Sequence, residues 1–200
     1  MNSTNPFIYS DDNKRYHTLN YYNKSSFNSK VFKAVIDAGF TCPNKDGTKG
    51  TGGCIYCMGG SGYFTEKSDG EIYDSVKRQL AAEKERIYNK HPDSLITAYF
   101  QANTNTYAPV ATLKEAYTAA LDSEVHGISI GTRADCLSDD VIALLCDINS
   151  KIHLTVELGL QTVHDKTAQI INRCYSYDEF LEGYRKLPVS YTHLTLPTIA

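Results

Sequence analysis

Lys30-Val31-Phe32-Lys33-Ala34-Val35-Ile36-Asp37, followed after four residues by Cys42-Pro43-Asn44-Lys45-Asp46-Gly47-Thr48-Lys49-Gly50-Thr51-Gly52-Gly53-Cys54-Ile55-Tyr56-Cys57, is the stretch that decides the fold. The first part alternates in places and is rich in β-branched and aromatic residues, the pattern of a strand. The second part is a glycine-rich loop carrying three cysteines spaced C-x11-C-x2-C. Thiolates gathered at such spacing hold a metal ion or an iron–sulfur cluster. No fourth ligand stands close by: His17 and His91 are distant in sequence, and there is no second C-x-x-C. A structural zinc site closes with four Cys or His ligands. A [4Fe–4S] cluster held by three cysteines instead leaves one iron open to a substrate or cofactor. Spacing alone leaves both readings open.

Downstream of the loop the pattern repeats. Residues 69–90 carry Ile72, Val76, Leu80 and Ile87 at helical spacing, one apolar face of a long helix. His91-Pro92-Asp93 ends it, and residues 95–101 read as a second strand. Thr112-Leu113-Lys114-Glu115 is a capping box that opens a helix to about Leu121. Residues 127–131 form a third strand, and Ser138, followed by Asp139 and Asp140, caps a helix to about Asp147. Residues 152–158 form a fourth strand, then a helix spans 162–172. Ser176-Tyr177-Asp178-Glu179, a second capping box, opens a helix to Leu187. Strand and helix alternate four times, with connections long enough for right-handed parallel crossovers. The fold class is therefore α/β, either an open doubly wound sheet or an incomplete barrel. In both, function gathers at the C-terminal ends of the strands. The cysteine loop, 101–106, Thr132-Arg133 and Gly159-Leu160-Gln161-Thr162 fall on that one rim.

The chain has 200 residues, enough for one domain with a full core, and a formal net charge of −3, which makes no global electrostatic case for nucleic acid. Scattered lysines, among them Lys33, Lys45 and Lys49, read as solvated surface. No apolar run reaches the roughly 20 residues of a membrane span, and residues 1–17 lack the apolar core of a signal peptide. The expected location is cytoplasmic, with no membrane partner, and in a reducing compartment six cysteines bind metal or stay as thiols. Residues 1–29, rich in Tyr, Asn, Ser and Lys, read as an extended N-terminal arm whose tyrosines pack on a core of residues 30–187.

Cys42, Cys54-Ile55-Tyr56-Cys57 and the strand before them resemble the cluster-binding signature of radical S-adenosylmethionine enzymes. The long gap before Cys54 is similar to the expanded loop of the branch related to the Elongator catalytic subunit and its small bacterial relatives of YhcC/YtqA type. Arg15-Tyr16-His17-Thr18-Leu19-Asn20-Tyr21, Asp37-Ala38-Gly39-Phe40-Thr41-Cys42-Pro43, Tyr99-Phe100-Gln101, Thr104-Asn105-Thr106-Tyr107-Ala108-Pro109, Gly131-Thr132-Arg133 and Val156-Glu157-Leu158-Gly159-Leu160-Gln161-Thr162 all look like that branch. The resemblance covers roughly residues 14–187. It implies a partial (β/α) TIM-like barrel with about four βα units present. It also implies a [4Fe–4S] cluster on Cys42, Cys54 and Cys57, and S-adenosylmethionine cleaved to a 5′-deoxyadenosyl radical.

By the same resemblance Tyr56 lies by the adenine. Gln101, Ala102, Asn103 and Thr104 occupy the place of the segment that meets the methionine amino group, and Gln161 and Arg173 match positions contacting ribose and carboxylate. An Arg suits a carboxylate because its guanidinium pairs bidentately. Two departures stand out: relatives have Gly-His where Cys174-Tyr175 follows Asn172-Arg173, and Thr-Arg-Pro-Asp reads Thr132-Arg133-Ala134-Asp135 here.

The implied partners are a tRNA whose wobble uridine is modified and an electron donor such as flavodoxin or ferredoxin. A reading of a different class is a non-catalytic zinc- or cluster-stabilised binding module; another keeps the radical chemistry but with a substrate other than RNA. Outside the loop, Cys136, Cys146 and Cys174 are expected to be buried or incidental thiols. Asn103 and Asn105 double as turn residues, and Glu157 points either into the barrel or into a structural ion pair. Residues 188–200 have no clear helical or strand continuation and resemble translated adapter read-through, so the native chain is expected to diverge near residue 188. The alternative is a floppy C-terminus.

Overall fold

The computed structural model describes residues 15–57, 69–187 and the backbone of 192–195. The expected alternation is present: β1 (Val31–Ile36), α2 (Ile72–Tyr88), β2 (Leu95–Phe100), α3 (Val110–Leu121), β3 (Gly127–Thr132), α4 (Asp139–Asn149), β4 (His153–Gly159), α5 (Asp165–Ile170) and α6 (Tyr177–Lys186), preceded by α1 (Leu19–Phe27). The strands are parallel and lie in sheet order β1-β2-β3-β4, each new strand added on the same side of the last. A doubly wound sheet reverses direction at a switch point; this one does not. Progressive winding in one direction is how a (β/α) barrel is laid down, so the α/β class resolves toward the partial barrel.

Period-two alternation divides the sheet into two faces. Ala34 and Ile36, Ile96, Ala98 and Phe100, Ile128 and Ile130, and Leu154, Val156 and Leu158 are buried under the helices. They meet Val76 and Leu80 of α2, Leu113 and Tyr117 of α3, and Val141 and Ile148 of α4 in one hydrophobic core. The opposite, concave face carries Lys33, Thr97, Tyr99, Ser129, Thr155 and Glu157, which are polar or aromatic and line the barrel side.

Four details depart from the sequence reading. The arm is helical rather than extended at α1, because Thr18 Oγ1 accepts from Tyr21 N (3.0 Å) and Asn28 ends the helix at φ 50°. Phe27 at its end packs edge-on against His126 and His153, ring centres 4.4 and 5.2 Å away. α3 begins behind Pro109, ahead of the expected capping box at Thr112, because proline fixes the φ its N-terminus needs. α5 occupies only part of 162–172, with His164 at its N-cap. In the tail, where no strand is expected, β5 (Thr192–Thr195) pairs parallel with β4, Val156 opposite Thr192. An open strand edge offers a row of unpaired backbone groups, which explains why a short β-branched segment docks there. No helix among the described residues is long and apolar enough to cross a membrane.

Candidate functional site

The cysteine loop leaves β1 at the rim where all the strands end. α2 secures its root: buried Gln79 takes an N–H from Asp37 and gives one to the Asp37 carbonyl, both at 2.9 Å. Cys42 O then accepts from Lys45 N (2.8 Å) and Asp46 N (3.1 Å), a tight turn that starts the loop. Gly52 and Gly53 follow at φ 79° and 77°, values that favour glycine. The chain turns again as Cys57 N reaches Cys54 O at 2.9 Å.

Two sets of bonds hold the loop on the rim. Asn44 gives its side-chain N–H to the Asn172 carbonyl, Asn172 returns one to Gly53 O (2.7 Å), and Ile55 N reaches Ile171 O (3.1 Å). On the other flank Lys49 Nζ bridges Asp135 (2.8 Å) and Glu179 (2.9 Å). Asp135 in turn pairs bidentately with Arg133, at 2.9 and 2.8 Å. Burial raises the Asp135 carboxyl, but Arg133 and Lys49 outweigh it and hold it below its ordinary value. Apart from the local Arg133–Asp135 pair, none of these connections is legible from sequence spacing, because each joins residues on different rim loops.

The three loop cysteines carry thiols that are not joined in disulfides; Cys42 is buried, Cys54 half-buried and Cys57 exposed. Cys42 lies within electrostatic reach of Arg133 and Cys136, whereas Cys54 faces Asn44 and Tyr56. Among the described residues, no three Cys, His, Asp or Glu side chains form a group that would hold a metal ion. The fit to an iron–sulfur group therefore rests on donor chemistry. Three soft thiols sit on one glycine-rich loop, and Asn44 Nδ2 donates to the Cys54 sulfur at 3.5 Å, as donors do around cluster thiolates. In kind, these donors suit such a group.

Among the expected cofactor residues, Gln101, Ala102 and Asn103 are brought together with Tyr99, Glu157 and Gly159 around a cavity of about 200 Å³ at the mouth of the concave face. That is below the roughly 300–1,000 Å³ of ordinary cofactor pockets, too small to enclose a cofactor by itself. Ala102 and Asn103 both have positive φ, 72° and 58°, the conformation a glycine-rich segment takes most readily. Asn103 also cross-links the rim, giving an N–H to Phe40 O (2.8 Å) and taking one from Lys45 Nζ (2.6 Å).

Gln161, with its amide turned to suit its neighbours, donates to Gly159 O (2.6 Å) and accepts from Tyr56 Oη at 3.3 Å, joining the β4 end to the cysteine loop. Burial first, then the Cys54 thiol, pushes the Tyr56 phenol up. Thr104 and Asn105 lie deeper, and Thr104 Oγ1 and Asn105 Oδ1 are buried with no partner among the described residues.

Arg173, expected beside a cofactor carboxylate, has Asp165 as its carboxylate partner at 3.8 Å and turns its N–H donors to the backbone. It is 0 % exposed, and its guanidinium donates to the carbonyls of Leu160 (2.6 Å), Thr162 (2.6 Å) and Tyr175 (3.1 and 2.9 Å). Four donors committed to backbone make it a clamp between the β4 end and the segment before α6. Cys174 beside it stands at φ 59°, a glycine-favouring conformation, which accounts for the glycine of the resembling pattern. Cys136 and Cys174 are half-buried and Cys146 is exposed, so none of the three is a core thiol. Burial pushes Cys136 up to about 12.

The reading of lysines as solvated surface is corrected at three positions: Lys45 and Lys49 tie down the loop, and Lys33 pairs with Glu157. Glu157 also accepts from Tyr99 Oη (3.0 Å) and Ser129 Oγ (2.9 Å), so one carboxylate on β4 gathers β1, β2 and β3. A sequence signal existed: a lysine and a glutamate each placed mid-strand on the same alternating face.

The sequence model of the Radical SAM superfamily matches residues 46–196. The chain is 48 % identical over 189 residues to YtqA of Bacillus subtilis (strain 168), covering 94 % of this chain and 58 % of that protein. To YhcC of Escherichia coli (strain K12) it is 39 % identical over 170 residues, 82 % of this chain and 53 % of that one. To MJ0486 of Methanocaldococcus jannaschii it is 33 % identical over 171 residues, 82 % and 50 % of the two chains. The chain thus spans about half the length of these relatives.

Proposed function

This chain belongs to the radical SAM superfamily, and from that premise we propose that its rim holds a [4Fe–4S] cluster on Cys42, Cys54 and Cys57 with S-adenosylmethionine beside it. The observation that carries the reading is the three-thiol loop set at the C-terminal end of β1 in a progressively wound parallel sheet and tied by Lys45 to Asn103 of the Gln101–Asn103 cavity. When bound, the two groups supply reductive cleavage of the sulfonium and a 5′-deoxyadenosyl radical that abstracts hydrogen from substrate.

The chain's own residues do the positioning. Lys45 and Asn103 bind the cysteine loop to the β2 end, and Lys49 with Asp135 binds it to the β3 end. Tyr56 and Gln161 close the side toward β4. Ala102 and Asn103, at positive φ on the wall of the cavity, form the surface we assign to the methionine amino group. Arg173 is assigned to the clamp and not to the cofactor. The substrate we propose is the side chain of a wobble uridine in tRNA, a reading that rests on kinship with the Elongator-related branch. We place the protein in the cytoplasm, served by a flavodoxin- or ferredoxin-type donor.

Anaerobic reconstitution with iron and sulfide tests the first part. The expected product is a brown protein with about four irons that cleaves S-adenosylmethionine under dithionite; one bound zinc and no cleavage would rule it out. Mass spectrometry of tRNA nucleosides from a strain deleted for the gene tests the substrate. A lost wobble-uridine modification is expected, and an unchanged profile removes the tRNA reading while leaving the chemistry standing.

A further inference from the structure

We infer that Asn44 is a positioning residue of the cysteine-loop centre, its side-chain amide setting the reduction potential of the iron–sulfur group through a hydrogen bond to the Cys54 sulfur. This rests on the cluster reading above. Asn44 is 0 % exposed. Its Nδ2 donates to Cys54 Sγ at 3.5 Å and also to the Asn172 carbonyl, so both N–H groups are committed. The second bond fixes the first: turning the amide over would set its oxygen against that carbonyl, acceptor on acceptor. The backbone holds the side chain in place as well, with Asn44 O accepting from Gly53 N at 2.8 Å.

Space around the amide is kept by a missing side chain. A Cβ at Gly50 would stand 2.4 Å from Asn44 Oδ1 and 2.8 Å from Cys174 Sγ. Asn44 Oδ1 has no hydrogen-bond partner among the described residues. Burying an amide oxygen without a protein partner carries a cost. A residue kept only for packing would avoid that cost, whereas one that aims an N–H at a sulfur needs the amide.

The consequence is electrostatic. Reduction adds one electron, supplied by an external donor, and part of the added charge falls on the ligand sulfurs. An N–H dipole pointing at Cys54 Sγ stabilises that reduced form more than the oxidised one, and burial strengthens the effect. Removing the donor makes the group harder to reduce.

The experiment is an EPR-monitored redox titration of the reconstituted 200-residue chain and its variants. Asn44→Ala should still assemble the cluster, with a midpoint potential more negative than wild type. Asn44→Asp, nearly isosteric but placing a negative charge beside the sulfur, should be more negative still. Asn172→Gly tolerates the φ of 54° at that position. It keeps the carbonyl that aims Asn44 and removes the side-chain bonds to the loop together with the one from Cys174 Sγ. It should lose iron to a chelator faster without a change in midpoint. An unchanged midpoint in Asn44→Ala overturns the inference. So does loss of iron from both Asn44 variants while Asn172→Gly retains it, since Asn44 would then build the loop rather than tune the centre. A wild-type chain that assembles no cluster overturns the proposed function itself, a result the titration separates from the other two.

Discussion

Tyr175 has two guanidinium groups against its ring, Arg133 at 4.6 Å and Arg173 at 4.3 Å from the ring centre. Its hydroxyl donates to the Gly159 carbonyl, and Arg133 reaches the Arg173 carbonyl at 3.0 Å. Such a stack places two cations in a buried corner, and the carboxylate that balances Arg133 there is Asp135, with Lys49 sharing it from the cysteine loop. Removing one partner of a buried pair leaves an uncompensated charge, which costs far more than the pair's net worth. Asp135→Asn is therefore expected to lower unfolding stability by about 3–5 kcal/mol, read from urea denaturation midpoints. Lys49→Met should cost less, because the Lys49 side chain is 33 % exposed and water replaces part of the contact. Equal losses in the two variants would show that Arg133 does not depend on Asp135.

At the scale of elements, α6 lies against the 3-10 turn Ala134–Cys136 that follows β3, and Gly183 makes this possible. A Cβ there would fall 1.9 Å from the Ala134 carbonyl oxygen. Gly183→Ala would have to push the helix off the turn, and overpacking of this kind costs about 1–3 kcal/mol; a rise in thermal midpoint instead would refute the close contact. The position of α6 was legible in the sequence: its capping box forms as read, Ser176 Oγ taking Glu179 N at 3.1 Å and Glu179 taking Ser176 N at 2.7 Å. Strands and helices with a strong apolar period were equally legible, since Val76, Leu80 and Ile87 all prove buried. Two kinds of feature were not. α1 has polar residues around most of its surface, so only its caps mark it as a helix. The bonds among Asn44, Asn172, Lys49 and Asp135 join rim loops far apart in the chain, and local periodicity carries no information about such partners. Arg173 shows the limit most plainly. Its residue type suits a carboxylate, but only its neighbours reveal that its donors go to backbone.

Across the whole molecule, the concave face replaces an apolar filling with a polar hub. Lys33, Tyr99, Ser129 and Glu157 come one from each of four successive strands, with Val35 paired to Tyr99, Tyr99 to Ser129 and Gly131 to Glu157 in register. Lys33 also lies over the Tyr99 ring, 3.9 Å from its centre. Burial raises the Glu157 carboxyl, but the bonds from Lys33, Ser129 and Tyr99 outweigh it and leave it below its ordinary value. A carboxyl depressed in the folded state contributes stability that is present above its unfolded value, about 4.3. That contribution is lost as pH falls through the lower folded value. Asp135 and Glu179 are depressed in the same direction, so the chain as a whole is expected to weaken on acidification. Glu157→Gln removes one share of that dependence. It should be less stable than the parent at pH 7 by about 1–3 kcal/mol, the worth of hydrogen bonds to a charged group discounted for the partial exposure of Lys33. The gap between variant and parent should narrow as the pH is lowered from about 5 to 3, because the parent's carboxyl becomes protonated while the amide does not change. Urea midpoints measured across that range decide it. Parallel curves would mean that the four strands do not draw on the Glu157 charge, and that packing under the helices alone holds the half-barrel together.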